Sequence, residues 1–403
     1  MGQRMENKYL RIHELGWNEQ KLRQAKVLVA GAGALGNEVL KNLALLGVGN
    51  IWVADMDIIE SHNLTRAVLF RESDVGQYKA EVAARRAHEI NPDLQIQPVV
   101  KTVQEAFGLL FYHHIDLVFG CVDNVQARLD INRYCYQTQT LYIDAGIRML
   151  DGDVKVFGAP YRVCFDCLVT QQMRDEAWQR FSCLKLRTRS GATTIPTAPT
   201  VSAIMAGFQV QIGVKYLHQA PIPLNRRITV LGNIDEMHLT QMSANPGCPT
   251  HCLYEPIDFK QVTLLPHASS ELSAKNLLHI IRQQFNSKAV IQLDYDLITH
   301  FTCPEHNYRL PLLRRRGYVF ADEVECPYCK KQGLPNSFLL MQENFTNQLT
   351  GTENEELLNS SLLQLGMPPC HLVTAVAMHQ NRLQYRLFGF EKDNERYFGN
   401  MKT

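Results

Sequence analysis

The chain has 403 residues, 45% of them apolar and 20% charged, with 41 basic and 40 acidic side chains for a formal charge of +1. That length exceeds what one hydrophobic core usually organises, so a large α/β domain with a smaller companion is expected. The even charge balance argues against a membrane surface or nucleic acid as partner. The N-terminal run MGQRMENKYLR has no apolar segment of signal-peptide type, and Glu6 stands where a myristoylation signal places Ser or Thr. No stretch reaches the roughly 18 consecutive apolar residues of a spanning helix, so a cytoplasmic protein is expected.

In chain order, Lys26 to Ala30 is a continuous apolar run that ends in GAGALG. Leu35, Val39, Leu40, Leu43 and Leu46 then recur at helical spacing until Gly47 closes the turn. Ile51 to Ala54 is the second strand, ending in Asp55, which completes a βαβ unit. A helix over 79–90 stops at Asn91-Pro92, and strands follow at 96–100, 115–121 and 141–145. From Val154 the strands look more exposed. The segment 167–199 lacks periodicity apart from a short helical patch around Trp178, and a loop of that length inside a compact domain usually serves function. Helix returns over 201–217 and strand over 227–231. Beyond Phe259 the pattern predicts a helix over 272–285, an extended run over 289–293, a helix over 355–365 and strands at 371–378 and 382–390. This alternation suits a small β-grasp-like module with a metal-binding insertion. The expected division is therefore 1–258 and 259–403.

Gly31, Gly33 and Gly36 let the backbone turn tightly and approach a phosphate, with a helix N-terminus behind them to favour negative charge. Asp55 stands where a carboxylate takes ribose hydroxyls. To this point the pattern equally describes an NAD-dependent oxidoreductase. A triphosphate needs cations and a magnesium ligand in addition. DMDIIESHNLTRAVLF and VGQYKAE supply Asp57, Asn63, Arg66, Gln77 and Lys79, and CVDNVQAR supplies Asp123, Asn124 and Arg128. Each has a bland rival: Arg66 and Lys79 as solvated surface charges, Asp123 as a helix cap.

On these motifs the chain resembles the ThiF/MoeB family of adenylating enzymes, over about Tyr9 to Cys252. The resemblance implies a Rossmann-type, mostly parallel sheet forming an ATP-binding adenylation domain; beyond it, the element order and cysteine spacing suit a smaller zinc-containing α+β domain. It implies that Asp55 binds the ribose, that Asn63, Arg66 and Lys79 contact the triphosphate, and that Asp123 is the magnesium-linked acid. It further implies that Arg11, in KYLRI, reaches the γ-phosphate of the other subunit of a homodimer. Ala67 departs from the family pattern, which commonly has Gln after the arginine.

Eleven cysteines without a secretory signal favour metal or catalytic use over disulfides. Cys164 and Cys167 with Cys248 and Cys252 form two close pairs that suit a structural zinc site. The second pair is spaced by three residues, so the last ligand stays open between His251 and Cys252. Cys303, His306, Cys326 and Cys329 are spaced as a zinc ribbon. Arg314, Arg315 and Arg316 between its halves read as a solvated hairpin face, with nucleic-acid contact the minor alternative. Cys121 and Cys135 read as core, and Cys370 has no evident role. Cys183 lies in RFSCLKLRTRS, within the 168–199 segment, where thioester-forming members of the family carry their acceptor in a crossover loop. Lys185, Arg187 and Arg189 would favour its thiolate, and an idle thiol is the alternative.

The combined expectation is ATP-dependent adenylation of the C-terminal Gly carboxylate of a ubiquitin-like protein, thioester formation on Cys183 and transfer to a conjugating enzyme recruited by the second domain. Its rivals are adenylation of a sulfur-carrier protein, a nicotinamide oxidoreductase and a non-catalytic partner subunit.

Overall fold

The computed structural model describes residues 8–174, 196–332, 341–380 and 382–399. Two short helices, α1 (Leu10–Glu14) and α2 (Glu19–Gln24), lead into β1 (Lys26–Ala30), α3 (Ala34–Leu46), β2 (Asn50–Ala54), α4 (Lys79–Ile90) and β3 (Gln95–Val99). Then come α5 (Val103–Ala106), α6 (Leu109–His114), β4 (Leu117–Gly120), α7 (Val125–Thr138), β5 (Leu141–Arg148) and β6 (Asp151–Phe157). The long helix α8 (Pro199–Leu217) precedes β7 (Arg226–Leu231) and β8 (Glu236–Gln241).

These strands form one eight-stranded sheet in the order β3-β2-β1-β4-β5-β6-β7-β8. The pairs from β3 to β5 are parallel and those from β5 to β8 antiparallel. β1, β2 and β4 are apolar runs because the sheet is covered on both faces, with α3, α4 and α8 on one side and α5, α6 and α7 on the other. Reversal of strand order beside β1 places the C-terminal ends of β1, β2 and β4 around one crevice, where open α/β sheets bind ligands. The exposure expected from Val154 is corrected: Val154, Val156 and Phe157 are buried, and exposure begins with β7 and β8.

The helix α9 (Pro249–Leu253) follows, and then a second, mixed sheet built from β9 (Thr263–Leu265), β10 (Val290–Cys303), β11 (Tyr308–Arg315), β12 (Gln342–Leu349), β13 (Val373–His379) and β14 (Arg382–Phe390). Its order is β11-β10-β13-β14-β9, with β12 also on β10, and only β14 and β9 run parallel. The helices are α10 (Ala274–Gln284), α11 (Pro327–Lys331), α12 (Glu355–Asn359) and α13 (Glu391–Phe398). The helix expected over 355–365 ends at Asn359. Ser360 returns its hydroxyl to the Glu356 carbonyl, and Ser361 is drawn into a bridge with Ser273. The extended run at 289–293 continues to Cys303, bulged near His300. The arginine run is no solvated face: Arg315 is buried, Arg314 binds Glu323, and Arg316 binds Asp296 and Glu343.

The two sheets share a seam. Gly108, Leu110 and Phe111, at the start of α6, donate their N–H groups to the carbonyls of Pro369 and Cys370, so the second sheet's loop satisfies donors that a helix N-terminus leaves open. This gives Cys370 a place: it is buried at φ 52°, with its N–H donating to the Asp393 carboxylate. Leu109 donates to Nδ1 of buried His371 at 3.2 Å, which leaves Nε2 to carry the proton facing Asp294, 3.4 Å away. Arg133 of α7 reaches the same Asp294 carboxylate at 2.7 Å. The last helix, α13, closes the seam by laying Phe398 on Phe111 and edge-on to Trp52, at the centre of β2. Among the described residues no helix is long and apolar enough to cross a membrane.

Candidate nucleotide site and metal centres

The turn after β1 is built as its glycines predict. Gly31 has φ +96°, and a Cβ there would lie 2.6 Å from the Cys121 carbonyl oxygen, so a side chain is excluded by both conformation and space. Gly36 packs against the same turn, where a Cβ would meet the Gly31 carbonyl oxygen at 2.0 Å. Gly33 is the N-cap of α3 and has open space before it, which leaves the helix N-terminus accessible to an anion.

Asp55 follows β2 and accepts from the Ala32 N–H at 2.8 Å and from the Asp57 N–H at 2.9 Å, which fixes its carboxylate against the glycine turn. Burial raises its pKa above the ordinary carboxylate value, opposed by Lys79. Lys79, the first residue of α4, lies 2.8 Å from Asp57 and is largely buried. Burial works against its charge, yet Asp55, Asp57 and Asp123 together hold its pKa above the ordinary lysine value. Lys79 is therefore no solvated surface charge. It is a fixed ammonium at the meeting point of three acids from two strand ends.

Asp123 follows β4 and is exposed; its described side-chain contact is Asn124 Nδ2 at 3.4 Å. The helix-cap alternative for Asp123 is set aside, because Asn124 caps α7 by accepting from the Ala127 N–H at 2.8 Å. That contact uses one lone pair of the Asn124 oxygen, while its amide nitrogen faces Asp123 at 3.4 Å. Asn63 is buried, and its side-chain oxygen accepts from the Glu60 N–H at 3.0 Å, closing the loop that presents Arg66. Arg66 has no ion pair among the described residues. Gln77 is turned away, donating to the Ser73 carbonyl and accepting from Arg85. Arg11 is exposed on α1. Ala67 is buried, so a longer side chain has no room at that point of the core.

Arg128 does not stand free for a phosphate. Its guanidinium is turned inward to the carbonyls of Val122 and Ala145 and to Asp144. Asp144 and Lys155, both buried, complete this cluster with Asp153, and neither was legible as a site residue. A buried Asp on one strand opposite a buried Lys on the next is a register pair, visible only once β5 and β6 are paired.

Two groups of metal-type ligands are assembled. Cys164, Cys167, Cys248 and His251 bring their ligand atoms within 4.8 Å of one another, as do Cys303, His306, Cys326 and Cys329. The open choice at the first group falls to His251, and the expected Cys252 is corrected. Helix α9 turns the His251 ring inward beside Tyr136 while the Cys252 thiol is exposed and faces the Pro246 carbonyl. Three thiols and an imidazole in each group are a donor set that suits zinc in a closed, four-coordinate site. Cys121 and Cys135 are buried, and burial pushes both thiols up. Cys183 lies outside the described residues.

The profile of the ThiF family matches residues 7–250. SUMO-activating enzyme subunit 2 of Dictyostelium discoideum is 36% identical over 148 residues, 36% of this chain and 22% of that protein. The catalytic subunit of Nedd8-activating enzyme E1 of Drosophila melanogaster is 38% identical over 157 residues, 36% of this chain and 35% of that protein. The chain thus spans about a fifth to a third of these relatives. Among solved structures, the microcin C7 biosynthetic enzyme MccB in complex with N-formylated MccA is similar with a TM-score of 0.51 and 25% identity, covering 61% of this chain and 75% of that one. The match covers more than half of the chain and includes the glycine turn, Asp55, Lys79 and Asp123: the protein belongs to the ThiF family.

Proposed function

We propose that the protein uses ATP to adenylate the C-terminal glycine carboxylate of a ubiquitin-like protein, as the printed names of its ubiquitin-, SUMO- and Nedd8-activating relatives suggest. The observation that carries this reading is the convergence of Lys79, Asp55 and Asp57 on the glycine turn, with Asp123 at the neighbouring strand end. A nicotinamide cofactor needs neither the ammonium nor the open acid. In the proposed reaction Asp55 holds the ribose, and the helix N-terminus at Gly33, Lys79 and Arg66 offset charge on the phosphates. Asp123 would hold magnesium through its exposed oxygens, and the ion would supply charge neutralisation on the triphosphate. The carrier carboxylate attacks the α-phosphorus and pyrophosphate leaves. Arg11 would complete the site from a second copy in a homodimer.

Cys183 would then attack the acyl adenylate carbonyl, releasing AMP and storing the carrier as a thioester. The second sheet, with its own Cys/His group, would recruit the conjugating enzyme, and zinc at both groups would be structural. The test is carrier-dependent exchange of pyrophosphate into ATP, measured with a panel of ubiquitin-like proteins ending in glycine. Lys79→Met and Asp123→Ala should lower it by about 10²- to 10³-fold with the fold retained. A reducible carrier adduct should disappear in Cys183→Ala while exchange persists. If the wild type shows no exchange with any carrier, the adenylation reading fails; if it shows exchange without an adduct, only the thioester step does.

A further inference from the structure

We propose that Arg128 is a positioning residue for Asp123, acting through the backbone of Val122; the proposal rests on the adenylation reading above. One terminal nitrogen of its guanidinium donates to the Val122 carbonyl at 2.9 Å and to the Ala145 carbonyl at 3.0 Å, tying the turn after β4 to β5. Its Nε lies 3.3 Å from Asp144, and the side chain is 17% exposed. On the other side of Asp123, Asn124 is pinned as the cap of α7. Asp123 therefore sits between two anchored residues, while its own carboxylate meets Asn124 at 3.4 Å. The placement of the acid is inherited from the backbone, and Arg128 supplies the anchor on the N-terminal side.

The chemistry favours arginine for this work. A guanidinium keeps its charge at any working pH and presents several donors in one plane, so it can serve two carbonyls and a carboxylate together, where an ammonium on a flexible stem would serve one or two. The anchor is itself held. Asp144 is fully buried, accepts from the Tyr142 hydroxyl at 3.0 Å and faces Lys155, which lies 2.6 Å from Asp153. Gly146 adjoins the cluster: a Cβ there would lie 3.1 Å from the Asp153 carboxylate and in ordinary contact with Arg128.

A plain structural role predicts something different: Arg128 would merely neutralise buried Asp144. The deciding experiment compares Arg128→Met, Arg128→Lys and the double variant Arg128→Met/Asp144→Asn, which removes both charges together. The double variant should recover the thermal stability lost in Arg128→Met without recovering catalysis. Its kcat for pyrophosphate exchange should stay roughly a hundredfold below wild type, with KM for ATP little changed, because Asp123 is displaced while the nucleotide pocket stays intact. Arg128→Lys, which keeps the charge opposite Asp144, should share the kcat defect. Amide hydrogen exchange across residues 120–124 should also be faster in the folded double variant. Wild-type kcat in either variant, or unchanged exchange across 120–124, overturns the proposal. The exchange measurement decides it even if the wild type shows no pyrophosphate exchange, an outcome that would sink the adenylation reading by itself.

Discussion

Two groups of charges, one at the strand ends and one at the seam between the sheets, are built from the same residue types and are left in opposite states. At the strand ends, Arg66 has no ion pair among the described residues, Asp57 is exposed although it meets Lys79 at 2.8 Å, and Asp123 meets a single amide nitrogen at 3.4 Å. At the seam, Arg133 pairs with Asp294 at 2.7 Å and lies over the Tyr134 ring, His371 faces the same carboxylate at 3.4 Å, and Arg315 donates to the Gln104 carbonyl and lies over Tyr295, with Nε of both arginines buried without a hydrogen-bond partner among the described residues. Charges with spare bonding capacity are poised for a ligand, and charges that satisfy one another hold architecture. The first kind costs stability and the second spends its interaction energy on the fold.

The comparison breaks most visibly at the seam. Asp294 is 30% exposed at the rim and Arg133 12%, so replacing Arg133 by Met should cost about 1.5 to 3 kcal/mol, the range for a hydrogen bond to a charged partner. Denaturant titration reads that loss. The corresponding change at the strand ends, Asp123→Ala, removes an exposed carboxylate with one 3.4 Å contact, so it should leave stability within about 1 kcal/mol while lowering exchange by about 10²- to 10³-fold. Equal stability losses at both places would show that the two groups of charges do not differ in this way.

A smaller effect follows from pH. Burial alone would raise the Asp294 carboxyl, but Arg133, His371 and Arg315 hold it well below the usual carboxylate range. A depressed folded pKa means that its contribution is complete above the unfolded value of about 3.9 and is lost as pH falls below it. The Tm difference between wild type and Asp294→Asn should therefore be constant from neutral pH to about pH 5 and shrink on further acidification. A gap that stays constant through pH 3 would show that the carboxylate does not hold the seam by its charge.

The smallest effect sharpens the metal assignment. His251→Ala should reduce bound zinc by one equivalent, whereas Cys252→Ser, two steps along the same helical turn from Thr250, should leave the zinc content and Tm unchanged. Loss of zinc in the serine variant would return the fourth ligand to Cys252.

Much of the first sheet was legible because its signals are local. The strand at 26–30, the helix at 79–90 and the glycine turn each depend on residues within a dozen positions, and each stands where the pattern placed it. Strand β8 was not foreseen: only Met237 and Leu239 alternate with polar residues, all six positions are exposed, and the strand is held by its pairing with β7. The same holds for β12, which borrows its register from β10. The helix α13 was missed because its apolar residues Tyr397 and Phe398 sit near a chain end, and the surface they cover belongs to α6 and to Trp52, far away in sequence.

The sequence by itself determined the βαβ opening, the glycines that let backbone approach backbone, the acids at the strand ends and the spacing of both Cys/His groups, since all of these are set by neighbours along the chain. Only the tertiary structure decided between His251 and Cys252, turned Arg128 from the crevice to two carbonyls, and gave Cys370 and His371 their work at the head of α6. Those outcomes depend on which distant backbone groups need a donor or acceptor once buried, and that demand arises only when the two sheets have packed.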